Sequence, residues 1–326
     1  MAKPSSHGAV DWDAVYTSHG QNFLSNIPVD NYFTGNPTLD LLKADAGGYS
    51  GGKYLIEPLV HTGQTNVQSV GRMTQASLTT VDPITAAEYA ITEYVAHIAI
   101  PALDEVQASG MDARLNLVET YISNARASIE RKLSTDLWAT SKASTTDIDP
   151  IPLLITTDGT GTVGNIVSGT YTFWKNQFID TVTFATAGLA KMDKMINDCS
   201  AGNSGFRPDM IVTTQTLYEA YQEAARDANV LQTVVGKGAQ RIADLGFPVV
   251  THQGIPITWD ANCPSGRMYF LNKSALKLRM MGKGVELSPF VRLTGHGIDA
   301  RVAQLRVFLC TTVSHRRILG QISTIT

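Results

Sequence analysis

A chain of 326 residues that is 43% apolar and 17% charged can bury a large core, which excludes an intrinsically disordered protein. Its 26 basic and 29 acidic residues leave a net charge of -3, which excludes a polycationic nucleic-acid clamp. Three widely spaced cysteines, Cys199, Cys263 and Cys310, exclude a disulfide framework and a zinc knuckle and read as buried thiols.

The opening "MAKPSSHGAVDWDAV" lacks the apolar core of a secretory signal, and no run approaches the roughly 18 apolar residues of a membrane span. A soluble protein made in the cytosol is expected. Over the first 50 residues Gly, Pro, Asn, Asp and Ser interrupt regular structure. Phe23, Leu24, Ile27, Tyr32, Phe33, Leu39, Leu41 and Leu42 are nevertheless too apolar for a free tail. Such an arm needs a surface, on its own chain or on a neighbour.

From Lys53, "KYLIEPLV" reads as a strand that leads through about 25 polar residues into "AAEYAITEYVAHIAI". The second run favours a strand, although Tyr89, Ile91, Tyr94, Val95 and Ile98 also fit a helical stripe. Two strands joined in this way form a hairpin too thin to carry its own core. After Gly110, the steps of Met111, Leu115, Val118, Ile122, Ala125, Ile129 and Leu133 predict an amphipathic helix of roughly 28 residues, about 42 Å long. A coiled-coil seam competes with this reading but lacks matching charged flanks.

The stretch 158 to 169, "DGTGTVGNIVSG", carries Gly159, Gly161 and Gly164 at the spacing of a dinucleotide loop, after an apolar run "PIPLLITT" that could supply the strand. Such a loop must open into a helix whose N-H groups meet the pyrophosphate. Here "NIVSGTYTFW" follows, which is strand or loop chemistry, so Asp180 has no ribose to complete and the glycines read as a turn.

Further on, Leu189, Met192, Ile196 and Cys199 mark a helical face and "DMIVTT" a buried strand. Thr216 with Glu219 resembles a capping box, and strands punctuated by Gly246, Pro248, Gly254, Pro256, Pro264 and Gly266 lead to a strand-rich end. The histidines His7, His19, His61, His97, His252, His296 and His315 form no H-x-x-H or H-E-x-x-H pair. No G-x-S-x-G elbow occurs, and Ser314 and His315 fall on opposite faces if that segment is a strand. No catalytic, cofactor or metal residue is therefore assigned. His315, Arg316 and Arg317, the one sharp basic cluster, read as a solvated strand end rather than a DNA contact.

Three stretches, "EYAITEYVAHIAIPALDEVQASG", "RPDMIVTTQTLYEAYQEAARDAN" and "GFPVVTHQGIPITWDANCPSGRMYFLNKSALKL", in this order and spacing, resemble the major capsid proteins of tailed bacteriophages, with the Hong Kong 97-type shell fold. The resemblance implies an α+β fold: an N-terminal arm over 1–46, an extended β-hairpin loop over 47–102, and a peripheral domain with a spine helix over 103–180. It also implies an axial domain over 181–270 and returning peripheral strands over 271–326.

The implied function is a non-enzymatic virion protein, assembled in the host cytoplasm into pentamers and hexamers of an icosahedral shell. Arm and loop would lie across neighbouring subunits. A separate scaffolding protein, a portal and decoration proteins are implied partners, with packaged DNA held without sequence specificity and no membrane. Lys53 sits at the base of the loop instead of its tip and is not assigned cross-linking chemistry. A cellular nanocompartment of the same fold and, more remotely, a nucleotide enzyme using residues 159–164 are the alternatives.

Overall fold

The computed structural model describes residues 36–44, 48–49, 51–63, 67–73, 82–107, 111–200, 206–227, 250–293 and 299–326. Phe23, Leu24, Ile27, Tyr32, Phe33, Gly110, Gly246 and Pro248 lie outside them. The chain divides into two compact units. Among described residues, one is drawn from Glu93–Leu133 and Met280–Phe308, the other from Gly35–Thr92, Ser134–Arg279 and Leu309–Thr326.

In the first unit, β4 (Thr92–Pro101) supplies strict alternation from Glu93 onward, with Tyr94, Ile98 and Ile100 buried and Glu93, Val95 and His97 exposed. The strand reading of that run holds and the helical stripe does not, because period-two burial places Val95 in solvent. A short helix α2 (Ala102–Gln107) follows. Arg301 pairs with Glu105, and Arg292 binds Asp299 through two bonds of 2.9 Å. The spine helix α3 (Met111–Leu137) has 27 residues, and Val118, Ile122, Ala125, Ile129 and Leu133 form its buried stripe. Leu115 is half-buried.

The second unit begins with α1 (Pro37–Ala44), a start the sequence specifies locally: Pro37 occupies the first helical position and Asn36 caps the end by accepting from Leu39 N-H at 3.2 Å. Leu39, Leu41 and Leu42 are buried. Asp260 secures the helix, since its Oδ2 accepts from Thr38 Oγ1 at 2.9 Å and from Trp138 Nε1 at 2.8 Å.

Strands β2 (Tyr54–Val60) and β3 (Ile84–Ala90) pair antiparallel along their whole length, from Tyr54 opposite Ala90 to Val60 opposite Ile84. This is the expected hairpin. The run "PIPLLITT" is not a strand. It contains a single helical turn, α4 (Ile151–Leu154), because Leu153 and Leu154 N-H both bond Pro150 C=O and Ile151, Pro152 and Leu154 bury together.

The unit's main sheet has six strands in the order β7 (Gln177–Ile179), β15 (Gly320–Ile322), β11 (Met268–Leu271), β8 (Met210–Thr213), β10 (Ile255–Trp259) and β9 (Val250–His252). On one face, Met192, Ile196 and Cys199 of α5 (Phe184–Ser200) and Tyr218 and Tyr221 of α6 (Gln215–Asp227) pack on Ile211, Met268, Phe270 and Ile322. Leu189 is partly buried against the same cluster. On the other face Tyr269 meets Trp138, ring centres 5.1 Å apart.

Helix α6 starts at Gln215, so Thr216 lies inside its first turn and no capping box forms; Glu219 instead accepts from Gln215 Nε2 at 3.0 Å. Strand β14 (Ala300–Val313) ends before Ser314, whose hydroxyl donates to Ser274 C=O at 3.2 Å. Ser314 and His315 are therefore not alternate residues of a strand.

Candidate functional site

Two features of the second unit concentrate the chemistry that the sequence singles out, and they touch each other. The first is the glycine stretch. Thr162–Val163 (β5) and Ile166–Val167 (β6) form a two-stranded hairpin turned by Gly164 (φ 58°) and Asn165 (φ 62°), the left-handed pair that a tight type I′ turn demands. No helix follows. A Cβ on Gly164 would stand 2.7 Å from Ala87 Cβ and 3.2 Å from the Tyr89 ring, so its missing side chain permits close packing on β3. Glu88 N-H donates to Gly164 C=O at 3.1 Å, and Asn165 Nδ2 to Glu88 Oε2 at 3.0 Å. The dinucleotide spacing serves a turn that buttresses the ribbon.

Beneath the stretch lies Arg316, 0% exposed, which corrects the expectation of a solvated basic strand end. Residues Arg316–Ile318 form a 3-10 turn that directs the middle of the His-Arg-Arg run inward while His315 and Arg317 stay exposed. Its Nε donates to Leu154 C=O at 2.8 Å, Nη1 to Trp174 C=O at 3.1 Å, and Nη2 to Thr156 Oγ1 at 3.0 Å and Thr160 C=O at 3.1 Å. Burial lowers its pKa to about 10, opposed by Tyr89 and Asp158, so the guanidinium stays charged at neutral pH. The stretch therefore turns one of its carbonyls, that of Thr160, toward a resident cation, joined by the flanking carbonyls of Leu154 and Trp174. A pyrophosphate cradle needs the opposite, N-H groups converging on an anion.

The second feature is the ribbon β2–β3. Its inner face, Leu55, Leu59, Ala87 and Tyr89, is buried, with Tyr89 hydroxyl donating to Val313 C=O at 2.8 Å and Glu57 paired with Arg279 at 3.2 Å. The outer face sets Tyr54, Ile56, Pro58 and Val60 opposite Ala90, Glu88, Ala86 and Ile84. Only Glu88 is charged. Ile56 is 58% exposed, Val60 76% and Ile84 63%, and Val67, Val70 and Met73 beyond them are exposed as well. His61 stacks on Phe173 with centroids 5.4 Å apart, which seats the far end of the ribbon on the segment after the glycine hairpin.

The other candidates stay apart. His252 is buried between Asp193 at 2.8 Å and Tyr221 at 3.2 Å, and His97 and His315 are exposed. His7, His19 and His296 lie outside the described residues. Asp180 accepts from Ser323 Oγ and Thr181 N-H, both at 2.9 Å. Cys199, Cys263 and Cys310 are buried free thiols, and burial raises the Cys310 pKa to about 12. Lys53 is exposed beside Tyr54, its Nζ 5.3 Å from the ring centre. Among the described residues, no three His, Cys, Asp or Glu side chains are placed to hold a metal, and no helix is long and apolar enough to cross a membrane.

No sequence family and no curated protein matches the chain. Solved structures do. The capsid asymmetric unit of cyanophage A-1(L) superposes with a TM-score of 0.65 at 18% identity, covering 93% of this chain and 97% of that one. The capsid of a native GTA particle gives 0.56 at 11% identity over 87% and 90%. The holo-SrpI encapsulin complex of Synechococcus elongatus gives 0.52 at 12% over 94% of each chain. An uncovered apolar ribbon, a 27-residue spine helix and a six-stranded sheet under two helices belong to one architecture: the chain has the Hong Kong 97-type shell fold.

Proposed function

We propose that this chain is the major capsid protein of a tailed double-stranded DNA bacteriophage, a structural virion protein that assembles with copies of itself into a closed icosahedral shell. The observation that carries the reading is the outer face of the ribbon. A single charged residue among eight aligned positions makes an apolar surface that the described residues leave exposed, and a repeated copy is the simplest cover. The shell fold over nearly the whole chain supports it, as does the turn of the glycine stretch, which leaves a dinucleotide enzyme without its helix.

On this reading residues 1–46 act as the arm, 47–102 as the extended loop, 103–180 and 271–326 as the peripheral domain, and 181–270 as the axial domain. Pentamers and hexamers form in the host cytoplasm, with a separate scaffolding protein, a portal, decoration proteins and unspecifically held DNA as partners. The likeness to an encapsulin supports a cellular nanocompartment as the second reading, at a TM-score of 0.52 against 0.65 for the cyanophage capsid.

The test is purification of the full chain, alone and with a co-expressed scaffold, followed by light scattering and electron microscopy. Rings or closed shells are expected. A strictly monomeric protein at high concentration, with scaffold present, overturns the proposal, and shells that copurify with an enzyme cargo transfer it to the nanocompartment.

A further inference from the structure

Next to the Arg316 hub the second unit has an open depression of about 410 Å³ whose walls include Phe173, Lys175, Gln177, Phe178 and Arg317. Two phenyl rings and two cations share it. Both rings are fixed from behind, Phe173 by the stacked His61 and Phe178 by Gly159, where a Cβ would stand 3.2 Å from the ring. Lys175 is half-buried and Arg317 exposed. Among the described residues neither meets a carboxylate, unlike Arg279, Arg292, Arg301 and Lys142, each of which pairs with one. A half-buried ammonium beside a guanidinium, with no acid opposite, calls for an anion.

The depression lies along the free edge of β7, the terminal strand of the six-stranded sheet. Gln177 N-H bonds Leu319 C=O and Ile179 C=O accepts from Ser323 N-H. Alternation then turns the N-H and C=O of Phe178, between them, away from β15 and outward. Among the described residues no hydrogen bond reaches either group. Phe178 is 48% exposed. Charge is asymmetric along this edge: Lys175 and Arg317 stand at the N-terminal end of β7, and the Asp180 carboxylate follows its C-terminal end.

A strand laid on this edge meets all of these features through alternate side chains. Residues i and i+2 share a face, so an aromatic residue at i reaches the rings and an acid at i+2 the cations, while i+1 points away. Antiparallel entry places the acid toward Lys175 and away from Asp180. A nucleotide would use the rings and cations but leave the Phe178 backbone without a match. Edge pairing with a second copy does not supply the acid: the other terminal strands of the two large sheets, β1 (Gly48–Tyr49), β13 (Val291–Leu293) and β9, carry no carboxylate.

We propose that the β7 edge docks an extended segment of a separate protein by strand addition. The segment reads aromatic-x-acid: its aromatic side chain lies against Phe173 and Phe178, its carboxylate on Lys175 and Arg317, and its backbone on the Phe178 peptide unit. The inference rests on the geometry of the second unit and not on the shell reading.

In the experiment, full-length subunits are immobilised on a biosensor surface and the peptide Ser-Thr-Phe-Thr-Glu-Thr is passed over them at up to about 1 mM. Saturable binding is expected. It should weaken about tenfold or more with Gln in place of Glu, with Glu moved next to Phe so that the two face opposite ways, and with the Phe amide N-methylated. The subunit variant Lys175→Gln with Arg317→Gln should lose binding to the same extent at an unchanged melting midpoint, since neither side chain has a carboxylate partner to lose. Absence of saturable binding, or equal binding of the displaced-Glu or N-methylated peptide, overturns the inference. So does an oligothymidylate that binds more tightly with the same dependence on Lys175 and Arg317, which would assign the depression to nucleic acid. Shell formation is scored separately. A double variant that cannot form the shells the wild type forms would make a second copy the occupant and overturn the docking, whereas a wild type that stays monomeric yet binds the peptide removes the capsid reading alone.

Discussion

Glu88 donates its backbone N-H to the carbonyl of Gly164 at 3.1 Å, and through this bond the glycine hairpin holds the base of the ribbon. The pair explains why a turn with a dinucleotide-like spacing sits where it does. The strand of the ribbon passes so near the turn that a methyl group at 164 has nowhere to go.

Gly164→Ala is therefore expected to destabilise more than Gly161→Ala. Both positions have positive φ, at 58° and 109°, which alone costs an alanine about 1 to 2 kcal/mol. At 161 the nearest atom is Thr156 Cγ2 at 3.8 Å, whereas at 164 backbone strain adds to a 2.7 Å clash. Chemical denaturation of the three proteins checks the order. A thermal-shift screen of the wild type against nucleotides and dinucleotides is expected to show no saturable stabilisation; one that vanished in Gly161→Ala would restore the enzyme reading.

Arg316→Met should cost at least about 3 kcal/mol, since it strands the carbonyls of Leu154, Thr160 and Trp174 in the interior. Arg316→Lys should recover little of this. An ammonium cannot reproduce a planar fork that spans four acceptors. Folded yield and denaturation midpoint are the measurements, and a neutral Arg316→Lys would contradict the geometry.

Ile56→Lys and Val60→Lys change side chains that are mostly in solvent, so subunit stability should move by no more than about 0.5 kcal/mol. Assembly should be lost, because a lysine on an otherwise apolar face must be buried without a partner when a neighbour covers it. Normal shells from either variant would mean that this face is not a contact.

Deleting residues 61–83 and joining Val60 to Ile84 by a short Gly-Ser turn should leave the fold of the subunit intact. Val60 and Ile84 are already opposite each other, and His61 N-H reaches Pro83 C=O at 2.9 Å, so the ends are in position for closure. Subunits should stay soluble while closed particles disappear from electron micrographs.

Stability should fall in alkali. Burial raises the phenols of Tyr221 and Tyr269 to about 12, and that of Tyr89 further still. In the unfolded chain these groups ionise near 10. The unfolded state therefore loses protons first, and the contribution is fully present below about pH 10 and is lost as the pH rises toward 12. Denaturation midpoints should begin to fall above about pH 8.5, where the unfolded chain's thiols ionise while the three buried cysteines do not, and fall more steeply above about pH 10, less so for Tyr89→Phe.

The elements that a reader of the sequence could place are those in which one side chain in two or in four is buried. Leu55, Leu59, Ala87 and Tyr89 alternate as a ribbon must, and Val118, Ile122, Ala125, Ile129 and Leu133 step as a helix must. The Arg316 hub could not be placed, because its partners are carbonyls, which every residue carries and no sequence advertises. Three consecutive basic residues normally mean solvent; here a 3-10 turn directs the middle one inward. "PIPLLITT" misled for a related reason, since Ile151, Pro152 and Leu154 bury equally well from a helical turn. The outer ribbon face was legible as apolar residues, but its exposure needed the pairing of Val60 with Ile84 and Ile56 with Glu88.

Strand β15 lies between β7 and β11, and Arg316 just before it closes bonds to residues as many as 162 positions earlier. The edge strand β7 therefore leaves the ribosome well before the strand that will flank it. Until residues 316–322 emerge, the sheet has a gap beside β11 and the pocket beneath the glycine hairpin has no cation. Closing such distant contacts is slow. The ribbon, whose base bonds that hairpin, is thus set in place late in folding, and on the self-assembly reading proposed above its outer face is presented to a neighbour only after this last segment has closed the sheet.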